Sequence, residues 1–295
     1  MLNDKLLGLI YGAFIGDAIA LGPHWIYNTQ DIQTHFHPIE GYTSPTHTPY
    51  HPSKKAGDFT HYGDQSLLLL KSIAEDKEFN LASFKKRWLH YITHEQLYID
   101  HASKTSIPLL TGNTSFLGSD SDELAGFSRS APLFALGDVD NNVFNQQIGL
   151  THNNIRLYKI SDFFVDVIKG ILSGQSIDES IESNLVVSDG FIRDAYRVAC
   201  EQHGSIIETV KAIGQSCSSN YGFPSVLAIL EYSKSIDYDF YDTLVQNVYA
   251  GGDSASRGMI LGMILGSNTG YKKIPKHLIE GLNKLDEIKG YLAKL

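Results

Sequence analysis

Cysteine is almost absent: Cys200 and Cys217 are the only two in 295 residues. Two thiols build neither a disulfide framework nor a cysteine-based zinc site, so a reducing, cytoplasmic setting is the default expectation. Basic residues are also scarce, 24 Lys and Arg against 33 Asp and Glu, for a net charge of −9. Such a surface repels a phosphate backbone overall, which speaks against a nucleic-acid partner. Long apolar runs are missing too. Leu6 to Gly16 could pass for the apolar stretch of a secretory leader, but Asp4 and Lys5 cancel and leave no positive segment ahead of it. Met259 to Leu265 falls far short of the roughly 20 residues that span a membrane. Neither run is read as a membrane anchor. There is no break rich in Pro, Gly and Ser to divide two domains, no long repeat, and little strand-like alternation.

What is present is helical periodicity. Apolar residues recur at spacings of three and four in Leu67–Ile73, Phe84–Ile92, Phe163–Leu172, Ile192–Cys200, Ile206–Ile213, Val226–Tyr232, Tyr241–Val248 and Ile279–Leu295. With 42% apolar residues, 16 Tyr and 14 Phe to build a core, the expectation is an all-α fold in one domain over residues 1–295. Two segments lack a period. Asn28 to Thr60 holds four of the nine prolines and several His, Tyr and Thr residues, and Thr111 to Ser130 carries Gly112, Gly118 and Gly126 among Ser and Asp. Ordered loops of that length usually line a site.

Two glycine rows are the strongest structural signal. Gly8, Gly12 and Gly16 fall four apart near one end, and Gly258, Gly262 and Gly266 fall four apart near the other. Each glycine costs a helix about 1 kcal/mol relative to alanine, so three on one face imply close approach of a neighbouring helix. Both helices should be central. Asp17 follows the first row directly, and Asp253, Ser254 and Ser256 precede the second, where capping of the helix would account for the two serines.

Three clusters place a carboxylate at a turn beside an apolar helix: Gly16-Asp17-Ala18 with His24 and Trp25 close behind, His61-Tyr62-Gly63-Asp64-Gln65-Ser66, and Gly251-Gly252-Asp253-Ser254-Ala255-Ser256-Arg257. A buried carboxylate is unfavourable unless paired, hydrogen-bonded or bound to a cation, so Asp17, Asp64 and Asp253 are candidate site residues as well as candidate caps. Histidine pairs at helical zinc spacing, His47 with His51 and His90 with His94, carry less weight. Pro49 interrupts the first, and the second lacks an adjoining glutamate. Asp120, Asp122 and Glu123 are read as solvent-facing, and Lys85, Lys86 and Arg87 as a solvated helix face.

On these residues the chain resembles the ADP-ribosylglycohydrolase superfamily, and within it the branch of the jellyfish lens J-crystallins. Leu6-Leu7-Gly8 through Gly16-Asp17-Ala18 resembles the family's first helix and Gly-Asp turn. Gly63-Asp64-Gln65-Ser66 stands where family enzymes carry Thr-Asp-Asp-Thr, and Gly251-Gly252-Asp253-Ser254-Ala255-Ser256 where they carry Gly-Gly-Asp-Thr-Asp-Thr. Ala125 to Pro132, with Gly126, Ser128 and Arg129, is similar to a glycine-bearing loop that lies against substrate ribose, and Thr151-His152 to the turn that follows.

The resemblance implies a multi-helix domain with a central cleft, and hydrolysis of an N- or O-glycosidic bond of a small-molecule or protein-linked ADP-ribosyl substrate, or a related ribosyl one. Family enzymes hold two magnesium ions. Here four ligand carboxylates have fallen to two, Asp64 and Asp253, with Arg257 beside them, so the expectation is one magnesium ion at most, held by Asp64, Asp253, Ser66 and Ser256. Asp17 and Gln65 would support that site from behind. His24, His61 or Asp64 would manage the proton, and Trp25, Gly126, Ser128, Arg129, His152 and Arg257 would contact substrate. Two alternatives stay open. One is a non-catalytic module whose Arg129 and Arg257 meet the phosphates of a nucleotide sugar. The other is a crystallin-like structural protein with a vestigial cleft.

Overall fold

The two glycine rows meet each other. In the computed structural model, which describes residues 2–95, 98–112 and 115–295, a Cβ added to Gly12 would lie 2.8 Å from the carbonyl carbon of Gly262 and closer still to its oxygen. Gly8 faces Gly266 and Gly16 faces Gly258 in the same way, so the two helices run antiparallel with their backbones in contact. Six glycines cost roughly 6 kcal/mol of helix propensity. Against that, Leu9, Ile10, Phe14, Ile15, Met259, Ile260, Met263 and Ile264 are all fully buried, at about 1.5–3 kcal/mol each. Burial wins, and the seam forms.

Around this pair the described residues form sixteen α-helices: α1 (Asp4–Ala20), α2 (Thr29–Phe36), α3 (His61–Asp76), α4 (Leu81–His94), α5 (His101–Leu110), α6 (Ala125–Ser128), α7 (Asn141–Gly149), α8 (Ile155–Ser173), α9 (Ile177–Val187), α10 (Gly190–Cys200), α11 (Ile206–Ile213), α12 (Ser219–Ser233), α13 (Phe240–Tyr249), α14 (Ser254–Thr269), α15 (Lys276–Glu280) and α16 (Leu285–Leu292). The only strand-like pairings among them are single-residue bridges, Ser119 with His152 and Glu123 with Ser218. The fold is all-α, with one contiguous apolar core. Among the described residues no helix is long and apolar enough to cross a membrane.

The periodic segments lie within α3, α4, α8, α10, α11, α12 and α13. Four departures have local causes. Asn28 to Thr60 is not wholly a loop: Asn28 caps α2 through the Gln30 amide at 3.0 Å, and Ile32 and Phe36, four apart, turn into the core before Pro38 stops the helix. Thr111 to Ser130 contains α6, and its Asn113 and Thr114 lie outside the described residues. The helix expected from Ile279 to Leu295 breaks between α15 and α16. There Asn283 turns its amide to the Gly57 carbonyl at 2.9 Å and its side chain to Ala56 and Asp58, pinning the loop ahead of α3. Finally, Ser254 and Ser256 do not cap α14 but lie in its first turn; Asp253 holds the cap position without accepting a cap bond.

Candidate active site

Asp17 acts as an anchor for α3. It is fully buried at the end of α1 and accepts the Thr60 amide at 2.7 Å and the Thr60 hydroxyl at 2.5 Å. Thr60 in turn caps α3 by accepting the Tyr62 amide. Gly63 is required beside this carboxylate, because a Cβ there would lie 2.8 Å from Asp17 Cγ. Burial pushes the Asp17 carboxyl up to about 7 despite the two bonds from Thr60. The residue thus aims the first turn of α3, and with it His61 and Asp64.

That turn borders an open cavity of about 510 Å³ walled by His51, Pro52, Lys54, His61, Asp64 and Tyr98. Asp64 Oδ2 accepts a bond from the Lys54 ammonium at 2.5 Å. Burial nevertheless holds the Asp64 carboxyl above its usual range, against the pull of Lys54. His61 Nδ1 lies 3.0 Å from His51 Nε2, and His61 Nε2 approaches Asp100 Oδ2 at 3.4 Å. Asp100 is itself fixed as the cap of α5 by the Ser103 amide at 2.6 Å. Burial lowers both imidazoles, His51 to about 4 and His61 well below the ordinary value, so both are neutral near pH 7. His51 Nδ1 is left without a partner. His51 holds this position with φ of 60°, and Trp25 with φ of 66°, the left-handed region that non-glycine residues rarely occupy.

Behind the cavity lies a packed aromatic cluster. Trp25 meets Tyr50 edge-on at 4.8 Å and Tyr98 at 5.3 Å, and stacks on His24 at 4.3 Å. His24 is fully buried, its ring nitrogens have no hydrogen-bond partner, and Nδ1 stands 3.8 Å from Asp253 Oδ1. Burial keeps it neutral, far below its ordinary pKa. The turn that presents Asp253 uses Gly251 and Gly252 at φ of 73° and 65° and is stitched to the Trp25 turn through Trp25 N to Gly252 O at 2.9 Å and Gly252 N to Ile26 O at 2.8 Å. Asp253 accepts the Ser256 hydroxyl at 2.5 Å, and burial raises its carboxyl to about 6. Cys217, half-buried, lies close to Trp25 and Asp253, and burial raises its thiol well above the usual range.

Of the three aspartates only Asp64 lines the cavity, while Asp17 and Asp253 are buried behind it on Thr60 and beside His24, and several other expected contributors face elsewhere. Arg129 is buried and donates to Gln65 Oε1, to Thr151 Oγ1 at 2.5 Å and toward His152 Nδ1 at 3.3 Å. Gln65 also accepts from the Trp88 indole at 2.8 Å, so Gln65, Arg129 and His152 form an interior bracket that does not line the cavity. Gly126 packs against the His152 ring and Ser128 bonds back to the Ala125 carbonyl at 3.0 Å, both within the same bracket. Arg257 is fully buried, donating to Asn247 Oδ1 at 3.0 Å and to the Gly251 carbonyl at 2.5 Å, which locks the turn before α14. Neither arginine is presented to a ligand. Asp122 is not solvent-facing alone: it accepts the Ser218 hydroxyl at 2.7 Å, while Glu123 stands 3.8 Å from His152.

The donor set fits a magnesium ion poorly. Asp64 already neutralises an ammonium, Asp253 is held by Ser256 beside the buried Arg257, and the two carboxylates share no partner. Ser66 is buried without a partner, and among the described residues no group of three His, Cys, Asp or Glu converges as a metal site would require. The residues that sequence reasoning missed are Lys54, His51, Asp100, Tyr50 and Tyr98. The density of His and Tyr in the aperiodic stretch before α3 signalled His51, named there only as half of a discounted pair, and Tyr50; Tyr98 and Asp100, between α4 and α5, carried no signal.

These buried imidazoles set the pH response. His24, His51, His61 and His152 are neutral when folded, with His51 lowered to about 4 and His152 to about 3, whereas an unfolded histidine protonates near 6.5. As pH falls below about 6.5 the unfolded chain binds protons first, so their contribution is full above that pH and is lost toward pH 4. Burial also raises the carboxyls of Asp17, Asp64, Glu123, Asp162 and Asp253, which act in the opposite sense; of these, Asp17 and Asp253 are raised to about 7 and about 6, set against four imidazoles. Thermal melts from pH 7.5 to 5 should show a falling melting temperature; a constant or rising one would contradict the assignment.

A model of the ADP-ribosylglycohydrolase family matches residues 1–295. Crystallin J1A of Tripedalia cystophora is 22% identical over 320 aligned residues, covering 99% of this chain and 96% of that protein. An uncharacterized protein of Archaeoglobus fulgidus is 24% identical over 306 residues, covering 100% and 96%. A solved structure described as an ADP-ribosylglycohydrolase-related protein complex superposes with a TM-score of 0.71 at 16% identity, over 99% of this chain and 96% of that one. At that identity the likeness speaks for the fold.

Proposed function

Since the chain belongs to the ADP-ribosylglycohydrolase family, we propose that it hydrolyses an N- or O-glycosidic bond of an ADP-ribosyl or related ribosyl substrate, using its own side chains for the proton transfers. The observation that carries this reading is the cavity in which a carboxylate, an ammonium, two neutral imidazoles and a tyrosine ring meet. Hydrolysis moves one proton off the attacking water and one onto the leaving group. The His51–His61 pair, joined at 3.0 Å, is neutral near pH 7, and each ring then carries one N–H and one lone pair. Their mutual bond uses one N–H and one lone pair, so the two nitrogens left over, His51 Nδ1 and His61 Nε2, are one N–H and one lone pair, an acid and a base. Asp100 Oδ2 stands 3.4 Å from His61 Nε2 without a hydrogen bond, and the rings of Tyr98 and Trp25 pack in the same wall.

The non-catalytic alternative rested on Arg129 and Arg257 meeting phosphates, and both guanidinium groups are committed to the interior. The crystallin-like alternative has to account for an unpartnered histidine nitrogen and a left-handed backbone retained at the cavity. The test is release of free ribosyl product from N-ribosyl, O-ribosyl and ADP-ribosyl compounds, followed chromatographically. His61→Ala should lower turnover about 100-fold or more. No release above the spontaneous rate from any of the three would end the proposal.

A further inference from the structure

The resident cation of this cavity is a side chain. Lys54 sits at the end of a turn closed by its own amide on the His51 carbonyl at 3.0 Å. Its ammonium reaches Asp64 Oδ2 at 2.5 Å, with 24% of the lysine side chain and 12% of the aspartate exposed, both in the cavity wall. The loop that carries it is fixed at its far end by Asn283, so the ammonium is held in place by the fold. Lys284, another nearby cation, bonds to Glu287 at 2.6 Å. Among the residues lining the cavity, Lys54 is the one ammonium and Asp64 the one carboxyl group.

We propose that the Lys54–Asp64 pair grips the vicinal hydroxyls of a furanose directly, so that ligand binding and turnover in this chain need no divalent cation. This rests on the ribosyl reading above and names the part of the substrate that the pair holds. The chemistry of the pair suits a diol. An ammonium has three N–H donors, of which Asp64 Oδ2 takes one, leaving donors for a hydroxyl oxygen. The carboxylate keeps Oδ1 and further lone pairs to accept a hydroxyl proton. One hydroxyl of a cis-diol can therefore donate to Asp64 while its neighbour accepts from Lys54. The pair is neutral overall, so an uncharged sugar enters without leaving an unpaired charge behind. Tyr98 lines the same wall, and an aromatic ring is the usual complement to the apolar face of a sugar.

The experiment is isothermal titration of the full chain with ribose and, separately, with ADP-ribose, each in EDTA and in magnesium, alongside turnover in the same buffers. The expected result is an affinity equal within twofold in the two buffers, and weakened at least tenfold in Lys54→Met. Lys54→Arg, which keeps the charge, should retain most of the affinity and guards against a variant that merely misfolds, as does its melting temperature. Binding of ribose as well as ADP-ribose assigns the grip to the sugar; binding of ADP-ribose alone would overturn it in favour of phosphate recognition. Affinity or turnover lost in EDTA and restored by magnesium would overturn the inference and leave the hydrolase reading intact. Metal-independent binding without turnover would do the reverse. No binding of either ligand in either buffer would overturn both.

Discussion

Gly12→Val should yield a chain that does not fold, or one destabilised by upwards of about 3 kcal/mol. Overpacking a core costs about 1–3 kcal/mol when neighbouring side chains can shift. Here the obstruction is backbone. The first added carbon would lie 2.8 Å from the Gly262 carbonyl carbon, and Gly262 in turn meets Gly12 from the opposite side. Relief would require α1 and α14 to separate, uncovering Ile10, Phe14, Met259 and Met263. Chemical denaturation followed by far-UV circular dichroism is the check. Gly290→Ala is the control: nothing lies within 4 Å of a Cβ there, so it should be neutral or slightly stabilising. A Gly12→Val protein as stable as the parent would mean that the seam is looser than described.

Asp64→Asn should lower kcat/KM by roughly 10²–10³, the range seen when one electrostatic contact to a transition state is removed. The change is nearly isosteric and leaves the α3 cap on Thr60 and Asp17 untouched. It strands the Lys54 ammonium without its carboxylate and removes an acceptor from the cavity. The variant should melt within a few degrees of the parent, because burial holds the Asp64 carboxyl above its usual range, so its charge adds no net stability, and the Lys54 side chain left behind is 24% exposed. Steady-state rates with the melting curve separate the two effects. Undiminished activity would remove Asp64 from the chemistry.

Much of the frame could be read from residue spacing, because its causes are local. Apolar periodicity marks the core faces of α3, α4, α8 and α10 to α13, and the glycine rows announced a close helix pair. Spacing could not say that the rows face each other, since that depends on where the chain returns after some 240 intervening residues. α2 was hidden in proline-rich surroundings, and the break after α15 depends on what Asn283 bonds far away in sequence. At the site, Asp17, Asp64 and Asp253 stood out as carboxylates beside apolar helices. Lys54, His51 and Asp100 did not, because aperiodic segments carry no signal of where their side chains point. Arg129 and Arg257 misled for a related reason. An arginine is normally a surface cation, and only the fold supplies Gln65, Thr151, Asn247 and the Gly251 carbonyl that let these two be buried.

The pairing of α1 with α14 also bears on how the chain reaches this structure. At a synthesis rate of roughly 5–20 residues per second, α1 would wait on the order of 12–50 s before its partner emerges from the ribosome. Throughout that interval a helix with Leu9, Ile10, Phe14 and Ile15 on its surface lacks the face that covers it. Closure of the seam must then be a late event of high contact order, slow relative to the local helices. Refolding from denaturant should accordingly rise sharply in yield with dilution or with a chaperone that shields apolar segments.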